Sequence, residues 1–183
     1  SHNNMGMALY DQGRLDEAVD SHQKAVALEP NFADGHYNLG NALKQKGEFK
    51  QAIESYKASI KINPNDAEVL LNYGKALKDN GNLFEALGKF KQVIKIKPDH
   101  AEAYNNIGIA LQEEGELTAA IDSYRKAIKI KPNYAEACNN IGIALQDKGE
   151  LAAAIVSYKK AIKIKPNYAE ADHNMGKALQ AGG

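Results

Sequence analysis

The apolar residues of this chain recur every 34 residues, and within each period they form two helical stretches. With Ala101 as position 1, large apolar residues occupy positions 7 and 11 and alanine occupies position 10, on one side of a helix with positions 3, 4 and 8. A second stretch contains alanine at position 20 and an aromatic residue at position 24. The pattern predicts antiparallel pairs, with helix A over positions 1–14 and helix B over positions 18–31.

Proline and glycine mark the ends of the predicted helices at the same 34-residue interval. The period predicts an all-α solenoid of stacked helix pairs, with at least ten helices and no strand. We expect one array over residues 1–183, with repeats at 33–66, 67–100, 101–134 and 135–168 and partial repeats at 1–32 and 169–183. Both ends stop inside a repeat, so we expect a piece of a longer array. The prolines are Pro30, Pro64, Pro98, Pro132 and Pro166, and the position-15 glycines expected in turns are Gly13, Gly47, Gly81, Gly115 and Gly149.

Two further positions predict how a helix pair is built. Asparagine or aspartate at position 33 is followed three residues later by an acidic residue, the spacing of a capping box at the start of helix A. Glycine stands at position 8 of every repeat although glycine costs about 1 kcal/mol inside a helix. We expect helix B to cross closely there, with its small position-20 alanine at the crossing and its aromatic residue beside it.

Composition excludes several classes of function. Lysine plus arginine and aspartate plus glutamate are 23 each, so no net charge attracts nucleic acid or an anionic membrane. No apolar run reaches the roughly 18 residues of a membrane span, and the single cysteine, Cys138, suits a reducing compartment. The expected location is cytoplasmic. No pattern of catalytic, metal-binding or cofactor-binding residues is present, so we expect a binding module and not an enzyme.

The repeat resembles the tetratricopeptide repeat (TPR) family. The repeat from Ala101 carries the family's signature as Tyr104, Ile107–Gly108, Leu111, Ala120, Tyr124 and Pro132. The resemblance implies a right-handed superhelix whose A helices line a concave groove. We expect the partner to be a protein or peptide, bound in an extended conformation in this groove.

Asparagine at position 6 is the most regular feature of the expected groove. If the apolar side of helix A is buried, positions 2, 5, 6, 9, 12 and 13 share the opposite arc. A primary amide offers donors and an acceptor, so the column could bind the backbone of an extended peptide. The column is similar to the asparagine ladder in the repeat arm of protein O-linked N-acetylglucosamine transferase. The alternative is that this asparagine is a general feature of the family. Its members are Asn4, Asn38, Asn72, Asn106, Asn140 and Asn174.

Other residues on the same arc differ between repeats. Tyr37, Leu71, Ile109 and Ile143 could form side-chain pockets beside the asparagines, or they could pack neighbouring A helices together. Lys75 belongs to a basic stretch that could meet an acidic segment or could simply be solvated.

Three functions fit these residues. The first is a scaffold that binds extended peptide segments in its groove. The second is the substrate-recognition arm of a larger glycosyltransferase-like enzyme with its catalytic domain outside this sequence. The third is a self-assembling scaffold, with weak head-to-tail association through the faces at its two ends.

Overall fold

The computed structural model describes residues 1–182, which form eleven α-helices and no strand. This confirms the all-α prediction of at least ten helices that alternate between A and B. Helix A covers positions 1–13 and helix B covers positions 17–30 of a complete repeat. The helices are α1 (His2–Asp11), α2 (Leu15–Leu28), α3 (Ala33–Gln45), α4 (Phe49–Ile62), α5 (Ala67–Asp79), α6 (Leu83–Ile96), α7 (Ala101–Glu113), α8 (Leu117–Ile130), α9 (Ala135–Asp147), α10 (Leu151–Ile164) and α11 (Ala169–Gly182).

The helices divide into two compact units. The first unit, Ser1–Ile96, contains α1 to α6, and the second, Lys97–Gly183, contains α7 to α11. In each unit a helix B packs against its own helix A and against the helix A of the following repeat, and successive A helices also touch. Within a unit, α2, α4, α8 and α10 each therefore join two A helices, which is the layered arrangement expected from an apolar stripe on every helix.

Each A helix of a complete pair ends at its position-15 glycine, as the sequence predicts. Gly115 has φ +84°, in the left-handed region that favours glycine. Its N–H donates to the Gln112 carbonyl (3.0 Å), and the Glu116 N–H donates to the Leu111 carbonyl (2.8 Å). This Schellman arrangement satisfies the last carbonyls of α7. The same pair of bonds recurs at Gly13, Gly47, Gly81 and Gly149.

The position-8 glycines make room for the aromatic ring of the paired helix B. The Tyr56 ring covers Gly40, and a Cβ built on Gly40 would lie 2.7 Å from Cε1 of that ring. Tyr56 is fully buried. The sequence therefore correctly predicted a close helix crossing at the position-8 glycine. The residue that contacts this glycine is the aromatic ring at position 24, and not the alanine at position 20 as expected. His22 and Phe90 occupy the same place over Gly6 and Gly74.

The predicted capping box is wrong. Helix A is capped by position 34, one residue later than expected, and only some of these residues bond the helix end. Asp66 accepts from the N–H groups of Glu68 (3.0 Å) and Val69 (3.1 Å), whereas Phe32 and Tyr134 make no side-chain cap. Proline and the position-33 residue instead occupy a tight turn. The N–H of position 34 closes this turn at Phe32, His100 and Tyr168, where the Tyr168 N–H donates to the Lys165 carbonyl (3.1 Å).

Candidate peptide-binding surface

In the second unit, two of the three position-6 asparagines bond across to the preceding A helix. The Asn140 Nδ2 donates to Oδ1 of Asn105 on α7 (3.1 Å), and the Asn174 Nδ2 donates to Oδ1 of Asn139 on α9 (3.3 Å). The accepting residues at position 5 are buried, with 6% exposure at Asn105 and none at Asn139. One N–H of each donor amide is thus used to join successive A helices.

The same link appears in the first unit, with different partners. Asn38 Nδ2 donates to Asn3 Oδ1 (3.2 Å), and Asn3 Oδ1 also faces Nδ1 of the buried His22 ring (3.0 Å). Asn72 Nδ2 donates to the hydroxyl of Tyr37 (3.1 Å). The column therefore has a structural role that the sequence-based interpretation did not anticipate.

Asn72 is the most fully bonded member of the column. Besides Tyr37, its Nδ2 bonds the Glu68 carbonyl (3.2 Å), and its Oδ1 accepts from Lys44 Nζ (3.2 Å). The Tyr37 hydroxyl in turn donates to the Glu68 carboxylate (2.8 Å). Burial raises the pKa of Tyr37 to about 12, so this hydroxyl remains a donor at neutral pH. The network leaves Asn72 little capacity for a peptide.

Asn106 and Asn4 depart from the pattern in opposite directions. Asn106 is only 7% exposed and donates to the Glu102 carbonyl of its own helix (2.9 Å). Asn4 is exposed. The members that are half-buried, and so both fixed and reachable, are Asn38, Asn72, Asn140 and Asn174.

Tyrosine hydroxyls from the B helices reach amide side chains on the A helices. The Tyr124 hydroxyl donates to Gln112 Oε1 (2.9 Å), and the Tyr158 hydroxyl donates to Gln146 Oε1 (3.0 Å). Each bond uses the oxygen of a position-12 side-chain amide as the acceptor. The NH₂ group of that amide does not take part in the bond to tyrosine and can donate to another group. The Gln112 NH₂ reaches Asp147 (3.1 Å). The sequence analysis missed these pairs. A buried tyrosine hydroxyl needs a hydrogen-bond partner, and glutamine at position 12 of both repeats was available as that partner.

The predicted apolar groove residues lie partly in the core. Leu71 is 5% exposed, so its side chain belongs to the interior of the first unit. Ile109 and Ile143 are half-buried and pack against the cluster that contains Tyr124 and Tyr158. Lys75 is half-buried. These isoleucines therefore help to pack the second unit and keep only part of their surface open.

Most of position 5 does not belong to the open arc: four of its six side chains are buried, whereas Tyr37 is half-buried and His173 is exposed. We expected its side chains to face the groove, but Asn3, Leu71, Asn105 and Asn139 are all buried. The reason at three of these residues is that successive A helices within a unit touch, so the following A helix covers the side of α1, α7 and α9 on which Asn3, Asn105 and Asn139 lie. The open surface of the second unit consequently lacks Asn105 and Asn139 and is formed by positions 2, 6, 9, 12 and 13, with Asn106 as a buried exception at position 6.

A family model described as TPR repeat matches most of the chain, over residues 6–47, 40–81, 74–115, 110–149 and 144–183. The chain belongs to the TPR family. TPR arrays act as scaffolds for protein–protein interaction, and this is the general role of the chain. No curated protein sequence matches it significantly.

Solved structures share the fold over nearly the whole chain. MamA is 28% identical with a TM-score of 0.82, covering 90% of this chain and 96% of MamA. YrrB, a TPR protein with an unusual peptide-binding site, is 23% identical with a TM-score of 0.76, covering 94% and 89%. TTC0263, a thermophilic TPR protein of Thermus thermophilus, is 21% identical with a TM-score of 0.76, covering 98% and 97%.

Two kinds of site are not found in residues 1–182. No helix there is long and apolar enough to cross a membrane. No group of three or more histidine, cysteine or acidic side chains in that part of the chain could hold a metal ion.

Proposed function

We propose that this TPR protein binds extended peptide segments on an amide surface of its second unit, formed by Asn140, Asn174 and the exposed part of Ile143. One observation carries the proposal. Asn140 and Asn174 are each held by a single hydrogen bond from Nδ2, and in the described part of the chain the second N–H and the oxygen have no protein partner. Each amide is therefore fixed in place and still offers one donor and one acceptor.

A fixed amide of this kind complements the backbone of an extended peptide. Each peptide group presents one N–H and one carbonyl, so one side-chain amide can bond both without reading a side chain. Because α9 and α11 are adjacent A helices that touch, the two amides belong to neighbouring repeats. The peptide-binding site of the structurally similar YrrB supports this use of the fold.

The test must separate the exposed amide from the helix-to-helix bond. Replacing Asn140 alone would leave the buried Oδ1 of Asn105 without a donor and would destabilise the unit. We therefore compare Asn105→Ala with the double variant Asn105→Ala/Asn140→Ala, which both lack the bond between α7 and α9 and differ only in the exposed amide. Affinities are measured by isothermal titration for several unrelated peptides selected from a random library on the parent protein.

The double variant should bind all these peptides more weakly than Asn105→Ala, by about three- to tenfold for one or two lost hydrogen bonds. A similar factor for every peptide is expected because the contact is to the backbone. Equal binding by the parent protein, Asn105→Ala and the double variant contradicts the proposal. Loss of one peptide alone shows that Asn140 reads sequence, which contradicts the mechanism.

The same surface would serve a larger glycosyltransferase-like enzyme as its substrate-recognition arm. The asparagine column and its similarity to the arm of protein O-linked N-acetylglucosamine transferase favour this more specific role. A sugar-nucleotide-binding α/β domain in the same polypeptide would establish it. An interaction assay that finds peptide binding without such a domain leaves the scaffold as the function.

Self-association is a second candidate, favoured by the open face of α11. Gly176 has no atom within 4 Å of an added Cβ, whereas the corresponding glycines of the other repeats are each covered by a ring. Leu179 on the same helix is 52% exposed. A helix from a second molecule could supply the missing cover, and sedimentation velocity over a range of concentrations tests this role.

A further inference from the structure

Two nearly identical repeats of the second unit differ at a pocket on the B helices. The repeats 101–134 and 135–168 differ at six positions. Two of these differences, Tyr104 against Cys138 and Asp122 against Val156, place Cys138 and Val156 in the lining of one pocket of about 440 Å³. The pocket lies between α8 and α10 over α9, and its lining includes Ile128, Ile141, Leu145 and Ala153.

Cys138 stands where the preceding repeat has an aromatic ring. Tyr104 is half-buried, and Lys126 Nζ lies 5.7 Å from the centre of its ring. In the following repeat Lys160 corresponds to Lys126, but Cys138 supplies no ring beneath it. Cys138 is 1% exposed and lines the pocket together with Lys160. The pocket thus has space where the preceding repeat has the Tyr104 ring, and Lys160 lines it where Lys126 lies over that ring.

The rim of the pocket is apolar on one side and basic on the other. Val156 is 68% exposed, where the preceding repeat has an aspartate. Arg125 and Lys160 are the charged residues of the lining. Arg125 pairs with Asp122 at 3.4 Å, but both side chains are more than 60% exposed, so water weakens this pair. No acidic side chain lines the pocket.

We propose that this pocket receives a phenylalanine or tyrosine side chain from a partner protein, with acidic residues next to it in the partner sequence. The volume lies within the range of ligand pockets, about 300–1,000 Å³. The ring would take the place that Tyr104 fills in the preceding repeat, beneath Lys160. The flanking carboxylates would meet Arg125 and Lys160, so the occupant is chosen by charge as well as by shape.

The proposal takes from the proposed function only that the partner is a protein. None of the pocket residues belongs to the amide surface, so the two sites can be tested separately. Cys138→Tyr fills the pocket with the side chain that the preceding repeat already holds at this position. Val156→Asp likewise restores the acidic residue of that repeat. Both variants should fold, because each new residue exists at the same place in the neighbouring repeat.

The experiment is a titration of the ¹⁵N-labelled protein with the blocked peptide acetyl-Glu-Phe-Glu-amide, followed by amide chemical shifts. We expect saturable shifts confined to residues that line the pocket, such as Cys138, Ala153 and Val156. Affinity should fall by at least about tenfold in Cys138→Tyr and also fall in Val156→Asp. Acetyl-Glu-Ala-Glu-amide and acetyl-Lys-Phe-Lys-amide, which lack the ring or the acidic groups, should bind at least about tenfold more weakly.

Several results would overturn the proposal. These are the absence of saturable shifts with acetyl-Glu-Phe-Glu-amide, unchanged affinity in Cys138→Tyr, or equal binding of the alanine peptide. Saturable binding of hexanoate without binding of the phenylalanine peptide would assign the pocket to a lipid-like ligand instead. If Cys138→Tyr does not fold, the affinity of Val156→Asp decides instead, and an unchanged affinity in that variant would also overturn the proposal. The library peptides of the amide surface should bind Cys138→Tyr normally, so failure of one site is distinguishable from failure of the other.

Discussion

The ring of Tyr158 lies against Gly142 so closely that a Cβ on the glycine would be less than 3.0 Å from three ring carbons. Tyr158 has no exposed surface, and its hydroxyl is bonded to Gln146, so the ring cannot easily move aside. Glycine at this position is thus a packing requirement. It outweighs the helix propensity that alanine would add.

Gly142→Ala should therefore destabilise the protein even though alanine is the better helix former by about 1 kcal/mol. The expected loss is about 1–3 kcal/mol, the usual cost of overpacking. Gly176→Ala is the matched control, because Gly176 occupies the same repeat position with nothing within 4 Å of its Cβ, and it should raise stability. Urea denaturation measures both. A Gly142→Ala variant as stable as Gly176→Ala would contradict the packing argument.

The fold could be predicted from the sequence because each repeat position has one dominant physical cause. Gly47 and the other turn glycines need positive φ, and Gly40 needs space for a ring, so their spacing alone located the helices within about one residue. The capping box failed because two favourable uses of Asn65 competed. The spacing to Glu68 suits a cap, but the preceding proline favours a turn. Pro64 and Asn65 form the turn, and Asp66 caps α5 instead.

Gly115→Ala tests the turn between α7 and α8. An added Cβ would meet no neighbour, so the effect isolates the cost of φ +84°. We expect a loss of about 1–2 kcal/mol in the free energy of unfolding. Asparagine tolerates the left-handed region better than alanine, so Gly115→Asn should lose less. Equal stability of the alanine variant and the parent in urea would show that the turn can adopt another conformation.

His22 should make the first unit sensitive to acid. Its ring is 1% exposed and bonded to Asn3, and burial lowers its pKa below the ordinary 6.5. The folded state therefore resists protonation while the unfolded state accepts it. The stability contributed by neutral His22 is complete above pH 6.5 and is lost as the pH falls through the lower pKa of the folded state.

The control for this prediction is His22→Phe, since Phe90 fills the corresponding place in α6 without a titrating group. Urea denaturation is compared between about pH 7.5 and about pH 5. The parent should lose more stability than the variant, by at most about 1.4 kcal/mol per pH unit. Carboxylates titrate in both proteins, so only the difference between them reports on His22. Parallel pH profiles would contradict the prediction.

The candidate site was less predictable than the fold, because its residues serve two purposes. Asparagine at position 6 was found from its regularity, but the sequence does not show that Asn140 already bonds a buried Asn105. That bond depends on how closely α7 and α9 approach, which is a property of the packed helices. The pocket at Cys138 was missed for a related reason. Cys138 occupies the repeat position of Tyr104, and the consequence of this difference is the space that the smaller side chain leaves in the packed structure.

The last prediction concerns self-association through α11. The open site at Gly176 corresponds to the place where His22 or an aromatic ring covers glycine in the other repeats, and Met5 (54%) and Met7 (48%) on α1 are exposed apolar side chains. Contact between these two different faces would be heterologous, which favours head-to-tail rows over a symmetric dimer. We expect weak association that increases with concentration in sedimentation velocity experiments.

Gly176→Leu should reduce this association, because its side chain would occupy the space that an incoming helix must enter. Gly88→Leu is the matched control. Gly88 is also a helical glycine with nothing within 4 Å of an added Cβ, but it lies on α6 and not on α1 or α11. The sedimentation coefficient should rise with concentration for the parent and Gly88→Leu and stay nearly constant for Gly176→Leu. A constant monomer for the parent at every concentration would exclude self-association of this chain, and equal association of both variants would place the contact elsewhere.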